Sequence, residues 1–228
     1  VSEQVGALRR RIVRDASQEP RLLETASELS INSEAIKKVS DTLNEHINEY
    51  DLPTESDVVV EKFENCVVVH ACFGNLVNAT LAAALAPLLA AKYGINVATQ
   101  TDPYRVGLII PVKIYAHLVA NELRNLQPED LEKIVLGSME ETELFAWRHW
   151  HVARRFGAVE RKADYKSNRA KFLVSVYRNT PINKETRREV LLEKFDLDQS
   201  KALMQKICRG EISVKAIEQK GASCSPLA

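Results

Sequence analysis

The chain has 228 residues, 45% of them apolar and 27% charged, with 31 basic side chains against 31 acidic ones. That length and apolar share allow a full buried core, as one large domain or one domain with a helical extension, and they exclude a disordered chain. The zero net charge hides an uneven distribution: residues 1–64 carry fourteen acids and eight bases, whereas residues 148–178 carry nine bases against only Glu160 and Asp164.

Residues 1 to about 16 read as a helix with Val5, Leu8, Ile12 and Val13 on one side and Arg9, Arg10, Arg11 and Arg14 on the other. No apolar core follows those arginines, so no secretory signal is expected here. Pro20 starts a second helix over residues 21–29, and residues 33–47 form a third, capped by Asn32 or Ser33. The pair invites a helix-turn-helix reading, but Glu34, Asp41, Glu45 and Glu49 outnumber Lys37 and Lys38 on the second helix and would meet phosphates of like charge. A plain helical hairpin is the better reading.

Between residues 56 and 111 strand-type and helix-type patterns alternate. Val58-Val-Val-Glu-Lys-Phe63 and Cys66-Val-Val-Val-His-Ala-Cys72 are β-branched runs parted by Glu64-Asn65, a hairpin signature. Phe73-Gly-Asn-Leu-Val-Asn78 leads into an alanine-rich helix that ends at Gly94, a residue suited to a left-handed C-cap. Its apolar run, residues 81–91, is shorter than the ~20 residues of a membrane span and contains Pro87. A buried helix is expected. Strands over residues 95–101 and 105–110 follow, with Asp102-Pro103 as their turn. The unit is β-β-α-β-β.

Helices are then expected over residues 112–123, 128–139 and 141–156. In the last of these, Leu144, Phe145, Trp147, Trp150 and Val152 cover most of the girth, which predicts burial on two sides and places both tryptophans in the core. Residues 157–168 form a polar, basic loop; helices resume over residues 169–177, 183–195 and 198–208, and residues 211–216 alternate like a strand returning to the sheet. The fold class is α+β, mostly helical, with a small mixed sheet covered by helices. The expected division is an N-terminal helical segment, residues 1–50, and an α+β unit with a helical C-terminal half, residues 51–228.

Chemistry is scarce in this pattern. There is no G-x-x-x-x-G-K-[ST] phosphate loop and no G-x-G-x-x-G, so no nucleotide cradle is expected. His149 and His151 fall on different faces of a helix, against a shared metal. Cys66, His70 and Cys72 share one strand face and read as small buried side chains rather than a thiolate or metal site. With Cys208 and Cys224 they include no C-x-x-C pair, and reduced thiols in a cytoplasmic protein are expected. No pair of carboxylates stands out as acid and base, and no catalytic residue is assigned. The basic segment differs, since nine bases against two acids suit a phosphate backbone, with a solvated face or an acidic partner surface as the alternatives.

Several stretches together carry a resemblance. They are Gln4-Val-Gly-Ala-Leu-Arg-Arg10, Leu52-Pro-Thr-Glu55 before Val58-Val-Val-Glu61, and His70 with Phe73-Gly74 and Val77-Asn78. Further on come Leu126-x-Pro-Glu-Asp-Leu131, Glu143-Leu-Phe-Ala-x-Arg148, Pro181 with Glu185-Thr186 and Arg188-Glu189, Phe195-Asp-Leu197, Gly210-Glu-Ile212 and Ser225-Pro226. In order and spacing, over nearly the whole chain, they resemble the DEAD/H-associated region that follows the motor in large helicase-related (Lhr) proteins of helicase superfamily 2. The sequence departs from that pattern in its shorter basic loop, where Tyr165 falls nearest the family's tryptophan, and in Pro87, which interrupts the central helix.

The resemblance implies a parent that hydrolyses ATP with magnesium in two RecA-like domains, moves 3′ to 5′ along single-stranded DNA, unwinds duplexes or DNA:RNA hybrids and serves DNA repair. This segment would have no cofactor of its own and would guide the strand beside the motor and a winged helix. Arg148, Arg154, Arg155, Arg161, Lys162, Lys166 and Arg169 would meet phosphates, Tyr165 would be the exposed aromatic, and Asn75 or the first amides of its helix could hold a phosphate, although ordinary capping explains that turn as well. Two other classes are weighed: a structural brace on the motor and winged helix with little nucleic-acid contact, and an enzyme acting on nucleic acid, for which no constellation is visible.

Overall fold

The computed structural model describes residues 1–112, 114–218 and 225–228; Cys224, one of the four thiols, lies outside them. The β-branched runs form a hairpin of β1 (Asp57–Phe63) and β2 (Cys66–His70), paired Phe63 to Cys66 across the Glu64-Asn65 turn. Alternation sends Val58, Val60, Val67 and Val69, each at most 1% exposed, to one face of the sheet. Against that face lies α4 (Asn75–Tyr93), with Leu81, Leu85 and Leu89 in the same cluster. By length and composition alone α4 could cross a bilayer, but here its leucines pack on protein. The left-handed Gly94 ends it as expected.

The helix runs unbroken through Pro87, which corrects the interruption read from the sequence. Proline lacks the N–H that would bond the Ala83 carbonyl. The Ser138 hydroxyl donates to that carbonyl instead, at 3.2 Å. Ser138 belongs to α6 (Pro128–Met139), so the substitute bond ties α6 to the middle of α4.

Strands β3 (Ala98–Asp102) and β4 (Arg105–Ile109) form the second hairpin, and β5 (Ser213–Glu218) returns late in the chain. The order is β3-β4-β2-β1-β5, with β5 parallel to β1 and the other pairs antiparallel. β3 starts three residues later than expected, because residues 95–97 only lead in from Gly94. α5 (Ala116–Asn125) also starts late: Ile114 is drawn into the core and Tyr115 stays extended as the N-cap. With α10 (Leu197–Cys208), these elements complete a core on one face of the sheet.

The N-terminal helices α1 (Ser2–Asp15), α2 (Glu19–Glu28) and α3 (Ser33–Ile47) share their own apolar cluster around Ile12, Leu22, Ile36 and Leu43. Asn32 caps α3 by accepting from the Glu34 N–H. Gly6 brings α1 against the turn before β1, where an added Cβ would meet the Glu55 nitrogen at 2.5 Å. On the sheet face opposite the valines, the Glu61 carboxylate is 1% exposed. It pairs with His70 Nε2 at 3.0 Å and accepts from Ser225 twice, from N–H at 2.8 Å and Oγ at 2.6 Å. The C-terminal Ser225-Pro226 is thereby clipped to the middle of the sheet.

The remaining helices, α7 (Glu143–Arg155), α8 (Ser167–Val176) and α9 (Pro181–Lys194), enclose another cluster with Phe145, Trp150, Val174 and Val190. His149 is fully buried there between the rings of Phe145 and Tyr177, and among the described residues neither of its ring nitrogens has a hydrogen-bond partner.

Two stability predictions follow from these buried groups. Burial pushes the Glu61 carboxyl up, but the bonds from His70 and Ser225 outweigh it and hold the group below its ordinary value. Its contribution is therefore complete above the unfolded carboxylate pKa of about 4.3 and is lost as pH falls through the lower folded value. Glu61→Ala should cost about 1–3 kcal/mol in urea unfolding at pH 7, since it leaves the polar groups of His70 and Ser225 buried without a partner. Burial lowers the pKa of His149, so below about pH 6.5 the unfolded chain takes a proton that the folded one resists. Stability should fall between pH 7.5 and 5.5; His149→Phe should flatten that slope in part, the remainder coming from His46 and His151, whose pKa values burial also lowers.

Candidate nucleic-acid interface

Helix α7 starts at Thr142, whose hydroxyl accepts from the Phe145 N–H at 3.1 Å. One stripe, Ala146, Trp150 and Ala153, is at most 1% exposed and faces α8 and α9. Another carries Trp147, Arg148, His151, Arg154 and Arg155 on the outer side. After Gly157 the loop doubles back, and the Arg161 carbonyl accepts from the Arg154 guanidinium. Arg148, His151, Arg154, Arg155 and Arg161 thus converge on one open cleft of ≈ 490 Å³, closed on its far side by Glu189 of α9.

The cleft is not an uncompensated cationic surface. Arg148 pairs with Glu189 at 3.4 Å and also with Glu193, and Arg155 pairs with Glu189. Arg154 and Arg161 have no carboxylate within ion-pair range among the described residues. His151 does not add a charge at neutral pH, because burial first and then Arg154, Arg148 and Arg155 lower its pKa. Four arginines therefore meet two carboxylates in and beside the cleft, which leaves an excess of positive charge at a concave site.

The other residues singled out by sequence lie elsewhere. Lys162, Tyr165 and Lys166 are exposed on the loop before α8, and Arg169 opens toward solvent from that helix. Tyr165 stands edge-on to the Trp150 ring at 5.9 Å, and the Arg169 guanidinium lies 5.5 Å from the same ring. None of the four lines the cleft. Asn75 is exposed at the start of α4, after Gly74 with its φ of 96°, a conformation that favours glycine. It sits at the end of an adjoining groove of ≈ 500 Å³, walled by α4, β3 and the start of α7, with Leu76, Ala83, Thr99 and Leu144 among its lining. Glu193 lines that groove and also bonds Arg148, so the two depressions meet there.

Sequence reasoning misplaced one aromatic residue and overlooked two acids. Trp150 is buried as expected, but Trp147 is 44% exposed, with its ring 4.4 Å from His151 and 5.4 Å from the Arg148 guanidinium. A signal was available, since Trp147 falls in line with His151 and Arg154 whereas Trp150 falls in line with two alanines. Glu189 and Glu193 carried no such signal, being 34 to 45 residues from their partners.

Neither a nucleophile with its base nor a metal cluster accompanies the cleft. Among the described residues no group of three His, Cys, Asp or Glu gathers to hold an ion. His149 points into the helical core while His151 lines the cleft. Cys66 and Cys72 keep raised thiol pKa values because of burial, Cys72 accepts from Arg9, and His70 is engaged by Glu61. What the arrangement can do is bind anions.

Residues 52–228 match the family model described as DEAD/H associated. The ATP-dependent helicase Lhr-Core of Methanothermobacter thermautotrophicus is 23% identical over 210 residues, 85% of this chain and 24% of that protein. Lhr-Core of Methanocaldococcus jannaschii is 26% identical over 203 residues, 83% of this chain and 24% of that protein. The chain thus spans about a quarter of the length of these relatives. The fold matches the helicase Lhr of Mycobacterium smegmatis, solved bound to ssDNA and AMP-PNP, with a TM-score of 0.79 and 23% identity over 95% of this chain and 29% of that one. The chain belongs to the DEAD/H associated family, and its likeness in sequence and in fold runs to Lhr-type helicases.

Proposed function

We propose that this chain is a non-catalytic accessory domain of an ATP-dependent, 3′-to-5′ Lhr-type helicase of the cytoplasm, which binds and guides single-stranded DNA, or one strand of a DNA:RNA hybrid, beside the motor. The observation that carries this is the convergence of Arg148, Arg154, Arg155 and Arg161 on one cleft. Guanidiniums recognise phosphate oxygens in pairs and need no base sequence to do so. Lys162, Lys166 and Arg169 extend positive charge along the loop, and Asn75 marks where the adjoining groove would receive more of the strand. ATP and magnesium belong to RecA-like domains outside this chain, and a winged helix would share the strand's path. The names of the relatives support this reading.

A second reading, a brace packed on the motor and winged helix, draws on another feature. Val5, Leu8, Ile12, Val39 and Leu43 line an apolar depression of ≈ 410 Å³ on the N-terminal helices, and Val39 is 46% exposed.

The test is the affinity of the chain for a fluorescent oligothymidine at several salt concentrations. Tight, salt-sensitive binding is expected, and replacing Arg154, Arg155, Arg161 and Lys162 with alanine should flatten the salt dependence by about 0.7 in log–log slope for each phosphate contact removed. Absence of binding at low salt would leave the brace as the better account. Glu189→Gln removes the carboxylate shared by Arg148 and Arg155. It should raise affinity several-fold, whereas Glu132→Gln, the same charge change at an α6 acid paired with Lys201 of α10, should do so far less.

A further inference from the structure

We infer that Trp147 is the base-stacking platform of this interface and sets its preference for single strands over duplex. The inference rests on the nucleic-acid reading above and adds a residue and a selectivity to it. An indole left 44% exposed forgoes burial that its neighbour Trp150 obtains in full. Nothing among the described residues covers it, yet it is not loose: the His151 ring centre lies 4.4 Å and the Arg148 guanidinium 5.4 Å from the centre of its ring, and both residues line the cleft. The cation–π contact and the tilted imidazole hold the ring at the cleft's edge, so little side-chain freedom remains to be lost when a ligand stacks on it.

Position supports the same assignment. Trp147 precedes Arg148 on α7 and lies about 10 Å along the helix axis from Arg154. A strand with phosphates on Arg154 and Arg155 would pass its next bases over the indole. The ligand class is any unpaired purine or pyrimidine, since every base offers a π-face, and a duplex keeps those faces stacked internally. Tyr165, the aromatic expected from sequence, has its ring edge-on to the buried Trp150 rather than against a cleft residue. Phe156 and Phe172 are exposed at 53% and 65%, but among the described residues no ring or cation–π contact ties either to a cleft residue, as His151 and Arg148 tie Trp147.

The chain has two tryptophans, and Trp150 is 0% exposed, so ligand-dependent change in emission reports on Trp147. Oligothymidine should quench that emission. Trp147→Ala should lower single-strand affinity roughly 5- to 100-fold with the salt slope and duplex affinity unchanged, and Trp147→Phe should keep most of the affinity. Salt-sensitive binding that depends on Arg154 and Arg155 but leaves emission and the Trp147→Ala affinity unaltered would overturn this inference alone. If the unaltered chain binds no single strand, this inference and the reading beneath it fall together. Because Trp147 is a surface residue, the melting temperatures of both variants should match the parent's.

Discussion

The Glu61 carboxylate constrains the molecule at its centre, because a charge 1% exposed in a sheet persists only when its oxygens are matched by donors. Here the partners come from distant points in the chain, with His70 across the hairpin and Ser225 near the C-terminus. β1 is also the strand that β5 joins in parallel, Asp57 opposite Ser213 through Lys62 opposite Glu218. The long helical excursion between β4 and β5 is thus closed at β1 by main-chain bonds on its edge and by the Ser225 clip on its face. The helices that form the cleft are held to the sheet by that closure.

The link from sheet to cleft runs through α4. Its small residues bring the helix close to the sheet, and its proline leaves the Ala83 carbonyl for Ser138. That bond sets α6 against α4, and α6 leads within four residues into α7. A feature that reads as a defect in the helix is a docking point for the element before the arginine helix. On the other side, the Thr80 hydroxyl accepts from the Asp196 N–H at 3.0 Å and fixes the junction of α9 and α10. α4 therefore helps to position α9, which brings the acids to the cleft.

Within the cleft the balance of charge is as informative as its sign. Arginines brought together with nothing between them would repel one another, and Glu189 and Glu193 relieve that repulsion in the unliganded protein. The same carboxylates would compete with an incoming phosphate for Arg148 and Arg155. Arg154, bonded to the Arg161 carbonyl rather than to a carboxylate, would offer the first contact under the proposed function. Under the proposed function, a site built in this way would bind polyanions without holding them irreversibly, as a moving strand requires.

The sequence by itself determined the element types, the two hairpins, the return of the last strand and the family, because these depend on periodicity, turn residues and ordered short motifs. It also indicated where positive charge gathers. It could not say that Arg148, Arg154, Arg155 and Arg161 share one cleft while Lys162, Lys166 and Arg169 do not, since that depends on how the loop after Gly157 folds back. Nor could it separate Trp147 from Trp150 by composition: on a helix apolar around most of its girth, exposure depends on which side the partner helices leave open. The pairing of α7 arginines with α9 acids, and of Glu61 with Ser225, was decided by tertiary structure alone, because charges far apart in sequence meet only when packing brings their elements together.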